Sequence, residues 1–589
     1  MNGLTKPERY LKGLLLLALV MATGVFLATL SGSIRFLRPG PGFDYWTGAM
    51  PFLKSAVDGP FQWPLLWEMY GGAYSMVLGR LMFLAEWYLG NFRNYWMLGS
   101  EWLALIATGA IALRAVWQET NLDTASRYLC VVLVILACGS GQHMNNLSYT
   151  FNAPSTGSVV YCLLFIVGVY QSVTHTEKSF QVRGVLLSTV SAVLLAASIF
   201  SLPSLFATWC ALALAFRLHR RNSLLVAALI TAATLLYASQ MPPVGVLKTH
   251  FTLGIGPQAP GDVTVWTLFY YIGLFVLQYV GAPAAEYSMW IDTLFGAVCV
   301  AGLLCFLWKK ILVDEQPASL LVWLVLGYTA YLLSLALCTA IGRVGSDAMI
   351  APRYRSYVMP LLMFAGIAAV YVLQNCKTWW RTAGSACLIV IAFAVVLPAH
   401  NRLLQQFSKE YDDYVTPFVA MSLGITHSDV VHQARWGVWW AADNKQMLEY
   451  RDFLRDHRKA IYAEPYFRQV GQSLSLPVAA PDDTRLPSVI ERLPGGGYQW
   501  KSTTETCDAD GRIALVNEQG LVVGAGLVSR AMPDKDWRVN YEVFLPLCQK
   551  NYPAAWIAYL PVGTRAGEKV TAVAFDGGKP VVLARAVMP

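Results

Sequence analysis

The chain alternates long apolar runs with short charged segments over its first 400 residues, and this pattern changes abruptly near His400. A helix needs about 20 consecutive apolar residues to cross a bilayer. Eleven runs predict spans, at residues 13–31, 95–117, 128–141, 154–173, 184–200, 203–218, 222–240, 288–308, 318–341, 356–374 and 382–399. The pattern therefore predicts a polytopic α-helical membrane protein of about eleven spans.

Lys and Arg cluster at alternate ends of these runs, for example at Lys12, residues 217–221 and residues 309–310. Cytoplasmic loops of membrane proteins are enriched in Lys and Arg. We therefore expect these ends, and the N-terminus, in the cytoplasm. A further apolar run at residues 264–284 would reverse the order if it crossed fully, so it is predicted to be a re-entrant or interfacial helix.

The segment between the first two predicted spans, residues 32–94, is long and rich in aromatic side chains. Trp and Tyr favour the boundary between water and lipid because each ring has an apolar body and a polar edge. We expect this segment on the outer side of the membrane, as a catalytic loop that presents Asp44 among Phe43, Tyr45 and Trp46.

Beyond residue 400 the chain becomes charged, and residues 401–495 alternate helical patterns with Pro and Gly breaks. From residue 496 apolar residues recur with a period of two, which is typical of strands. Residues 512–523 and 570–586 each predict a hairpin with a Gly-containing turn. The sequence thus predicts a membrane domain at 1–400, followed by a soluble α+β tail: a mixed helical segment at 401–495 and a β-sandwich-like or barrel module at 496–589.

Composition agrees with this division. The 589 residues are 56% hydrophobic and 14% charged, with a mean hydropathy of +0.45, whereas soluble domains carry about 25% charged residues. The net charge of +8 does not indicate nucleic-acid binding, because the cations lie at span ends. Nine of the eleven cysteines lie in or beside apolar runs, and the other two, Cys507 and Cys548, are expected to pair if the tail is exported.

Two carboxylates of the first loop are candidates for catalysis. Asp44, flanked by aromatics, is suited to act as a general base or to orient an acceptor hydroxyl. The alternative is a cap on the helix expected to begin near Thr47. Glu68 lies in an aromatic helical stretch and is the candidate for a second acid, whereas Asp58 precedes Gly-Pro and is typical of a turn.

A cluster of cations precedes the run at 356–374. Arg343 and the sequence Arg353-Tyr354-Arg355 lie in a loop expected on the outer face, against the positive-inside tendency. Arg grips phosphate with a planar fork, and Tyr adds a donor. These residues are predicted to bind a lipid phosphate; the alternatives are snorkelling and pairing with acids such as Asp347.

The short loop at residues 141–152 is rich in amides and contains His143 and Asn146. These side chains are suited to hydrogen-bond a sugar or to cap helix ends. With Tyr45 and Trp46 they are the predicted substrate-binding residues. No metal-ligand spacing, phosphate loop or dinucleotide fingerprint stands out, so no metal or cofactor is expected. The spans hold few charges, which speaks against an ion-coupled transporter.

Together these features resemble a known family. The sequence Phe43-Asp44-Tyr45-Trp46, the later Arg343 and Arg353-Tyr354, about eleven spans and a tail ending in a β module with residues 556–561 are similar to bacterial GT-C type membrane glycosyltransferases that use polyprenyl-phosphate-linked sugars. The resemblance implies that Asp44 is the catalytic acid–base group and that Arg353 and Tyr354, with Arg343, hold the lipid phosphate. This chain has Thr47-Gly48 where related sequences often carry a second acid.

The function that the resemblance implies is an inverting sugar transfer from a polyprenyl-phosphate donor to a glycan, lipid or protein acceptor. It implies a bacterial inner membrane, with the reaction and the tail on the periplasmic side. The sequence leaves open a translocase for lipid-linked glycans, a surface-polysaccharide polymerase or ligase, and a catalytically inactive scaffold. A translocase would need charges inside several spans, and a polymerase or ligase more basic residues in the outer loops.

Overall fold

A computed structural model describes residues 6–42, 45–68, 76–198, 207–213, 215, 227, 265–284, 288–314, 319–343, 352–427, 444–476, 488–505, 507, 511–532, 539–545, 547 and 554–589. Contacts divide the chain into two compact units. Unit 1 comprises Met1–Leu30, Gln62–Met82 and Met97–Leu403, and unit 2 comprises Ser31–Phe61, Phe83–Trp96 and Leu404–Pro589. The predicted division of the chain near residues 400 and 495 stays a prediction.

Helices dominate the first 422 residues. In chain order the described helices are α1 (Lys6–Arg35), α2 (Met50–Asp58), α3 (Pro64–Trp67), α4 (Val77–Leu89), α5 (Tyr95–Gln118), α6 (Thr124–Gly139), α7 (Met144–Ser148), α8 (Ala153–Thr174), α9 (Lys178–Ala196), α10 (Val265–Gly281), α11 (Met289–Trp308), α12 (Leu320–Arg343), α13 (Arg355–Gln374), α14 (Thr378–Ser422), α15 (Asn444–Asp456), α16 (Pro465–Arg468) and α17 (Val539–Glu542). Short 3-10 turns at Gly141–His143, Thr150–Asn152, Ala282–Ala284 and Pro352–Tyr354 connect helices of unit 1.

Within the described residues, nine helices are long and apolar enough to cross a membrane: α1, α5, α6, α8, α9, α11, α12, α13 and α14. Each coincides with one of the predicted spans. The other two predicted spans, at 203–218 and 222–240, lie mostly outside the described residues. These helices support a multi-pass membrane protein, as the sequence predicts; the total of eleven spans and the orientation stay predictions.

Helix α10, in the run at 264–284, lies antiparallel to α11. A Cβ added at Gly281 would overlap the backbone oxygen of Asp292, and one added at Gly296 would overlap that of Leu277. Only glycine allows two backbones to approach so closely. Helix α10 therefore packs closely along α11, and its predicted re-entrant or interfacial form stays a prediction.

The C-terminal part of unit 2 is a curled antiparallel sheet. Its strands are β1 (Val489–Arg492), β2 (Tyr498–Thr504), β3 (Arg512–Asn517), β4 (Val522–Val528), β5 (Ala554–Leu560), β6 (Lys569–Asp576) and β7 (Lys579–Val587), in the order β1-β2-β5-β4-β3-β6-β7. Register shifts at Leu515/Val516 and Ala572/Val573 mark irregularities that increase local twist. The predicted β module is therefore present, and its described strands form one curled sheet where the sequence predicted a sandwich or barrel.

Both predicted hairpins are confirmed, as β3–β4 and β6–β7. The β6–β7 turn consists of Gly577 and Gly578, with φ of +54° and +83°. A two-residue turn of this kind needs positive φ at both positions, which glycine adopts without strain. One face of the sheet buries Trp500 and Trp556, and residues 470–476 pack on the other face.

The cysteines follow the predicted division. The nine cysteines in or beside apolar runs are free thiols. Cys507 is disulfide-bonded. Its expected partner, Cys548, lies outside the described residues.

Candidate functional site

The predicted site residues fall in both units. Asp44, with Phe43, lies outside the described residues, as does the side chain of Arg343 at the end of α12. Tyr45 and Trp46 belong to unit 2. The remaining predicted site residues belong to unit 1: Glu68, His143, Asn146, Arg353, Tyr354 and Arg355.

In unit 2, the chain on both sides of Asp44 is held in place. On the N-terminal side, a Cβ added at Gly42 would lie 3.2 Å from the ring of Tyr414. On the C-terminal side, the Tyr45 hydroxyl donates to Oδ1 of Asn94 at 3.1 Å. Gly42 and Tyr45 are therefore held by packing and by a hydrogen bond, respectively.

Asn94 joins distant parts of the first loop. Its Nδ2 donates to the carbonyl oxygens of Arg38 at 2.8 Å and Gly40 at 3.0 Å. Its backbone N–H donates to Oε1 of Glu86 at 2.8 Å. Asn94 has φ of +69°, a conformation that Asn tolerates better than most residues. One amide thus organises the segment that precedes Asp44.

Tyr45 and Trp46 are 1% and 2% exposed. The Tyr45 ring packs against Phe83 and Phe92, with centroid distances of 5.5 and 5.7 Å. The Trp46 ring lies 6.1 Å from that of Phe418. Both aromatics therefore build the interior of unit 2, and their contact with a substrate stays a prediction.

In unit 1, Glu68 lies next to Arg80. The side chain of Glu68 is exposed, and its backbone oxygen accepts a hydrogen bond from Nη1 of Arg80. Burial lowers the pKa of the Arg80 guanidinium, and the nearby Glu68 carboxylate acts in the opposite direction. The structure thus gives Glu68 a cationic neighbour, and its predicted role as a second acid stays a prediction.

The predicted phosphate-binding residues form the first turn of α13 and the 3-10 turn before it. The Arg353 guanidinium lies over the Tyr354 ring, 5.5 Å from its centroid. Tyr354 is buried, and its ring packs against that of Tyr279, with centroids 5.3 Å apart. Arg355 is within electrostatic range of Asp292 on α11. Two cations therefore flank a fixed aromatic ring at the N-terminal end of α13.

An apolar groove of about 550 Å³ runs along α13. Side chains of α6, α11, α13 and α14 line it, and all of them are apolar. Met359, one helical turn after Arg355, lines one end, and Leu373 lines the other. Val298 and Ile391 on its walls are 62% and 50% exposed, so the groove opens at the surface of the helix bundle.

The loop at 141–152 lies against the same end of α13. Helix α7 contacts the turn Pro352–Tyr354, and Nε2 of Gln142 donates to the carbonyl oxygen of Pro283 at 3.3 Å. His143 and Asn146 are each 1% exposed. The structure thereby brings the predicted sugar-binding loop and the predicted phosphate-binding turn together.

The hydrogen bonds of His143 and Asn146 are incomplete. Nε2 of His143 lies 2.7 Å from the carbonyl oxygen of Ala137, and because a carbonyl only accepts, Nε2 carries the hydrogen. Oδ1 of Asn146 accepts from Nδ2 of Asn152 at 3.1 Å. Within the described residues, Nδ1 of His143 and Nδ2 of Asn146 have no hydrogen-bond partner.

Glu101 is a buried acid that the sequence reasoning missed. It lies within α5 and is 1% exposed. The signal in the sequence was a single acid inside an apolar run, and ionisable residues inside spans commonly have a function. Oε1 of Glu101 has no hydrogen-bond partner in the described part of the chain. The same holds for three other buried polar atoms at this end of unit 1: Oε1 of Gln142, Oγ of Ser148 and Oγ1 of Thr156.

Comparison with known proteins adds no identification. No family model matches the chain, and no curated protein or solved structure matches it. In the described ranges, no group of three or more His, Cys, Asp or Glu side chains is placed to hold a metal ion. The site must therefore be interpreted from its own geometry.

Proposed function

We propose that the protein is a membrane glycosyltransferase of the GT-C type, which moves a sugar from a polyprenyl-phosphate donor to a glycan, lipid or protein acceptor. The proposed location is the periplasmic face of a bacterial inner membrane. The observation that carries the proposal is the apolar groove along α13. Arg353, Tyr354 and Arg355 lie at the N-terminal end of that helix, in the 3-10 turn before it and in its first turn. A lipid with a long apolar chain and an anionic head matches both features.

The groove supports the assignment of the lipid chain. From Met359 to Leu373 it extends about 21 Å along the helix, by the helical rise of 1.5 Å per residue. That is most of the hydrocarbon thickness of a bilayer, about 30 Å. A lipid chain can enter sideways, because the groove is open between α11 and α14. The wholly apolar lining favours a hydrocarbon over a polar substrate.

The turn at the head of α13 supports the assignment of the phosphate. Arg offers a planar fork that matches phosphate oxygens, and Tyr adds a hydroxyl donor. The dipole at the start of a 20-residue helix favours the same charge. Two arginines and the helix end thus favour an anionic head group over a neutral one.

The proposed reaction is a single displacement at the anomeric carbon of the sugar. The bond from that carbon to the lipid phosphate oxygen breaks as a bond to the acceptor hydroxyl oxygen forms on the opposite face. The hydroxyl proton passes to the Asp44 carboxylate, and the arginines stabilise the departing lipid phosphate. The role of Asp44 depends on the resemblance of the sequence.

The groove is tested by filling it. Gly302 lines the groove, and a Cβ added there would meet nothing within 4 Å. Gly302→Phe in the purified protein, reconstituted in lipid nanodiscs, should lower the affinity for polyprenyl phosphate at least about tenfold, because the ring occupies the path of the chain. Gly273→Phe is the matched control, since Gly273 in α10 also has open space and does not line the groove. Equal affinity of both variants would refute the groove as the lipid site.

The reaction is tested in a deletion strain by analysis of lipid-linked sugars. A donor that is no longer consumed should accumulate as a polyprenyl phosphate carrying one sugar. Accumulation of a lipid-linked oligosaccharide would instead favour a translocase, polymerase or ligase.

A further inference from the structure

Glu101 is a buried acid of unit 1 that the proposed reaction does not use. It lies about 9 Å along α5 from Tyr95, by the helical rise. Burial of a charged side chain inside a span is costly unless a partner compensates it. Within the described residues, Oε1 of Glu101 has no hydrogen-bond partner. One oxygen of this buried carboxyl group therefore has no hydrogen bond of full geometry among these residues.

Two hydroxyl groups lie near the Glu101 carboxyl group. Thr156 of α8 lies beside it, and Oγ1 of Thr156 has no hydrogen bond of full geometry among the described residues. The Tyr357 hydroxyl of α13 lies near both Glu101 and Ser155. Three helices thus contribute an acid and hydroxyl groups to one buried cluster.

This cluster lies at the same end of unit 1 as the arginines. Glu101 and Arg353 both act electrostatically on the Tyr357 hydroxyl. The backbone oxygen of Tyr357 accepts a hydrogen bond from the Tyr328 hydroxyl at 2.6 Å, which fixes this turn of α13. Glu101 is therefore close to the proposed phosphate-binding turn.

We propose that Glu101 binds the sugar of the lipid-linked donor by accepting hydrogen bonds from its hydroxyl groups; this inference rests on the proposed function. The oxygens of a buried carboxyl group accept hydrogen bonds, so the group suits a ligand that offers hydroxyl donors. A sugar supplies several hydroxyl donors close to the phosphate to which it is attached. Thr156 and Tyr357 act both as donors and as acceptors, which suits a ligand with alternating hydroxyl groups.

The Asn146 amide and the His143 imidazole, near the same turn, fit the same ligand. Nδ2 of Asn146 is a buried donor, and Nδ1 of His143 is a buried acceptor, each without a partner in the described segments. A hydroxyl group can satisfy either of them. A lipid phosphate without a sugar would leave these groups and Glu101 unsatisfied, so the site should prefer the sugar-bearing lipid.

The test compares two ligands on the full-length protein in nanodiscs: a polyprenyl phosphate and the same lipid carrying a hexose. The wild type should bind the sugar-bearing lipid more tightly. Glu101→Gln keeps the shape of the side chain but replaces an acceptor oxygen with a donor. The ratio of its affinities for the sugar-bearing and the bare lipid should therefore fall about tenfold. Its affinity for the bare lipid should not change, whereas Arg353→Ala should weaken binding of both lipids.

Glu119→Gln is the matched control. Glu119 is also a buried acid, 6% exposed, and it follows the opposite end of α5. It should keep the full preference, and gel filtration and thermal melting of each variant verify folding. If Glu101→Gln keeps the preference, or if the wild type has none, Glu101 does not bind the sugar although the lipid assignment stands. If the wild type binds neither lipid, the proposed function fails and this inference fails with it.

Discussion

Two buried acids of unit 2, Asp412 and Glu464, differ in their partners from Glu101 of unit 1. In unit 2, Arg93 forms two hydrogen bonds to the Glu464 carboxylate, at 2.6 and 2.9 Å. In the same unit Asp412 accepts hydrogen bonds from the backbone N–H groups of Arg530 and Ala531, at 2.9 and 3.1 Å. In unit 1, Glu101 is buried with an oxygen that has no partner among the described residues.

The difference separates two uses of a buried charge. A paired charge contributes to folding, because removing one partner leaves the other unsatisfied. An unpaired polar group costs about 1 to 3 kcal/mol, which a ligand can recover on binding. We therefore assign a structural role to the Arg93–Glu464 pair and to Asp412 in unit 2, and we keep ligand binding for the cluster around Glu101 in unit 1.

The largest effect is expected at Asp44. This residue belongs to unit 2, and a catalytic role there would be an exception to the structural role that we assign to the charged groups of that unit. Asp44→Asn should lower the rate of sugar transfer about 10²- to 10⁴-fold, since an amide cannot take the proton. The measurement is transfer of a labelled sugar from the polyprenyl-phosphate donor by the purified protein. Asp58→Asn, in the same loop, should keep its activity. Full activity of Asp44→Asn would rule out the assigned role.

The second effect tests whether the pairs of unit 2 are structural. Glu464→Gln should destabilise unit 2 by about 2 kcal/mol, because Arg93 then loses its anionic partner. For a unit of this size the melting temperature should fall by about 4 to 8 °C. Thermal unfolding followed by near-UV circular dichroism measures it.

Replacing both partners is the control for this pair. The double variant Arg93→Met and Glu464→Leu should recover part of the stability, because no buried charge is left alone. An unchanged melting temperature of Glu464→Gln, or a loss of lipid binding by the folded variant, would contradict the structural assignment.

A smaller effect is expected at Tyr45. Tyr45→Phe removes the hydroxyl that donates to Asn94 and should cost about 1 kcal/mol, or about 2 to 4 °C in melting temperature. Lipid binding at unit 1 should not change. If Tyr45→Phe weakened binding and left stability unchanged, the ring would be a substrate contact, as the sequence suggested.

The smallest change in stability is expected at Thr156. Thr156→Val removes a buried hydroxyl that has no full hydrogen bond among the described residues, so the melting temperature should stay within about 2 °C or rise slightly. The preference for the sugar-bearing lipid should nevertheless fall a few-fold. A clear loss of stability would show that the hydroxyl is structural and would remove the contrast between the units.

The sequence predicted the elements well where the signal is local. The apolar runs that predict helices α5 and α13, at 95–117 and 356–374, each differ from the observed bounds by one residue at one end. The pair Gly577-Gly578 identifies a hairpin because only glycine adopts both positive φ angles without strain. Arg353 and Arg355 lie together at the start of α13 because they are neighbours in the chain, and their binding of phosphate stays a prediction.

The sequence failed where a side chain's environment depends on distant residues. The packing of Tyr45 and Trp46 against Phe83, Phe92 and Phe418 was not predicted, and their contact with a substrate stays a prediction. Glu101 stands out in the sequence as a single acid inside an apolar run, but its neighbours on α8 and α13 have no signature in that segment. The groove is formed by four helices, and no single run of the sequence predicts it.

By itself the sequence determined the apolar helices and the β-hairpins, because hydrophobic periodicity and turn chemistry act between residues near one another in the chain. Only the tertiary structure decided which buried polar groups have partners. Arg93 meets Glu464 across 371 positions, whereas Oε1 of Glu101 meets no partner in the described residues. A hydrogen bond needs its two atoms about 3 Å apart, and folding alone sets that distance for residues far apart in the chain.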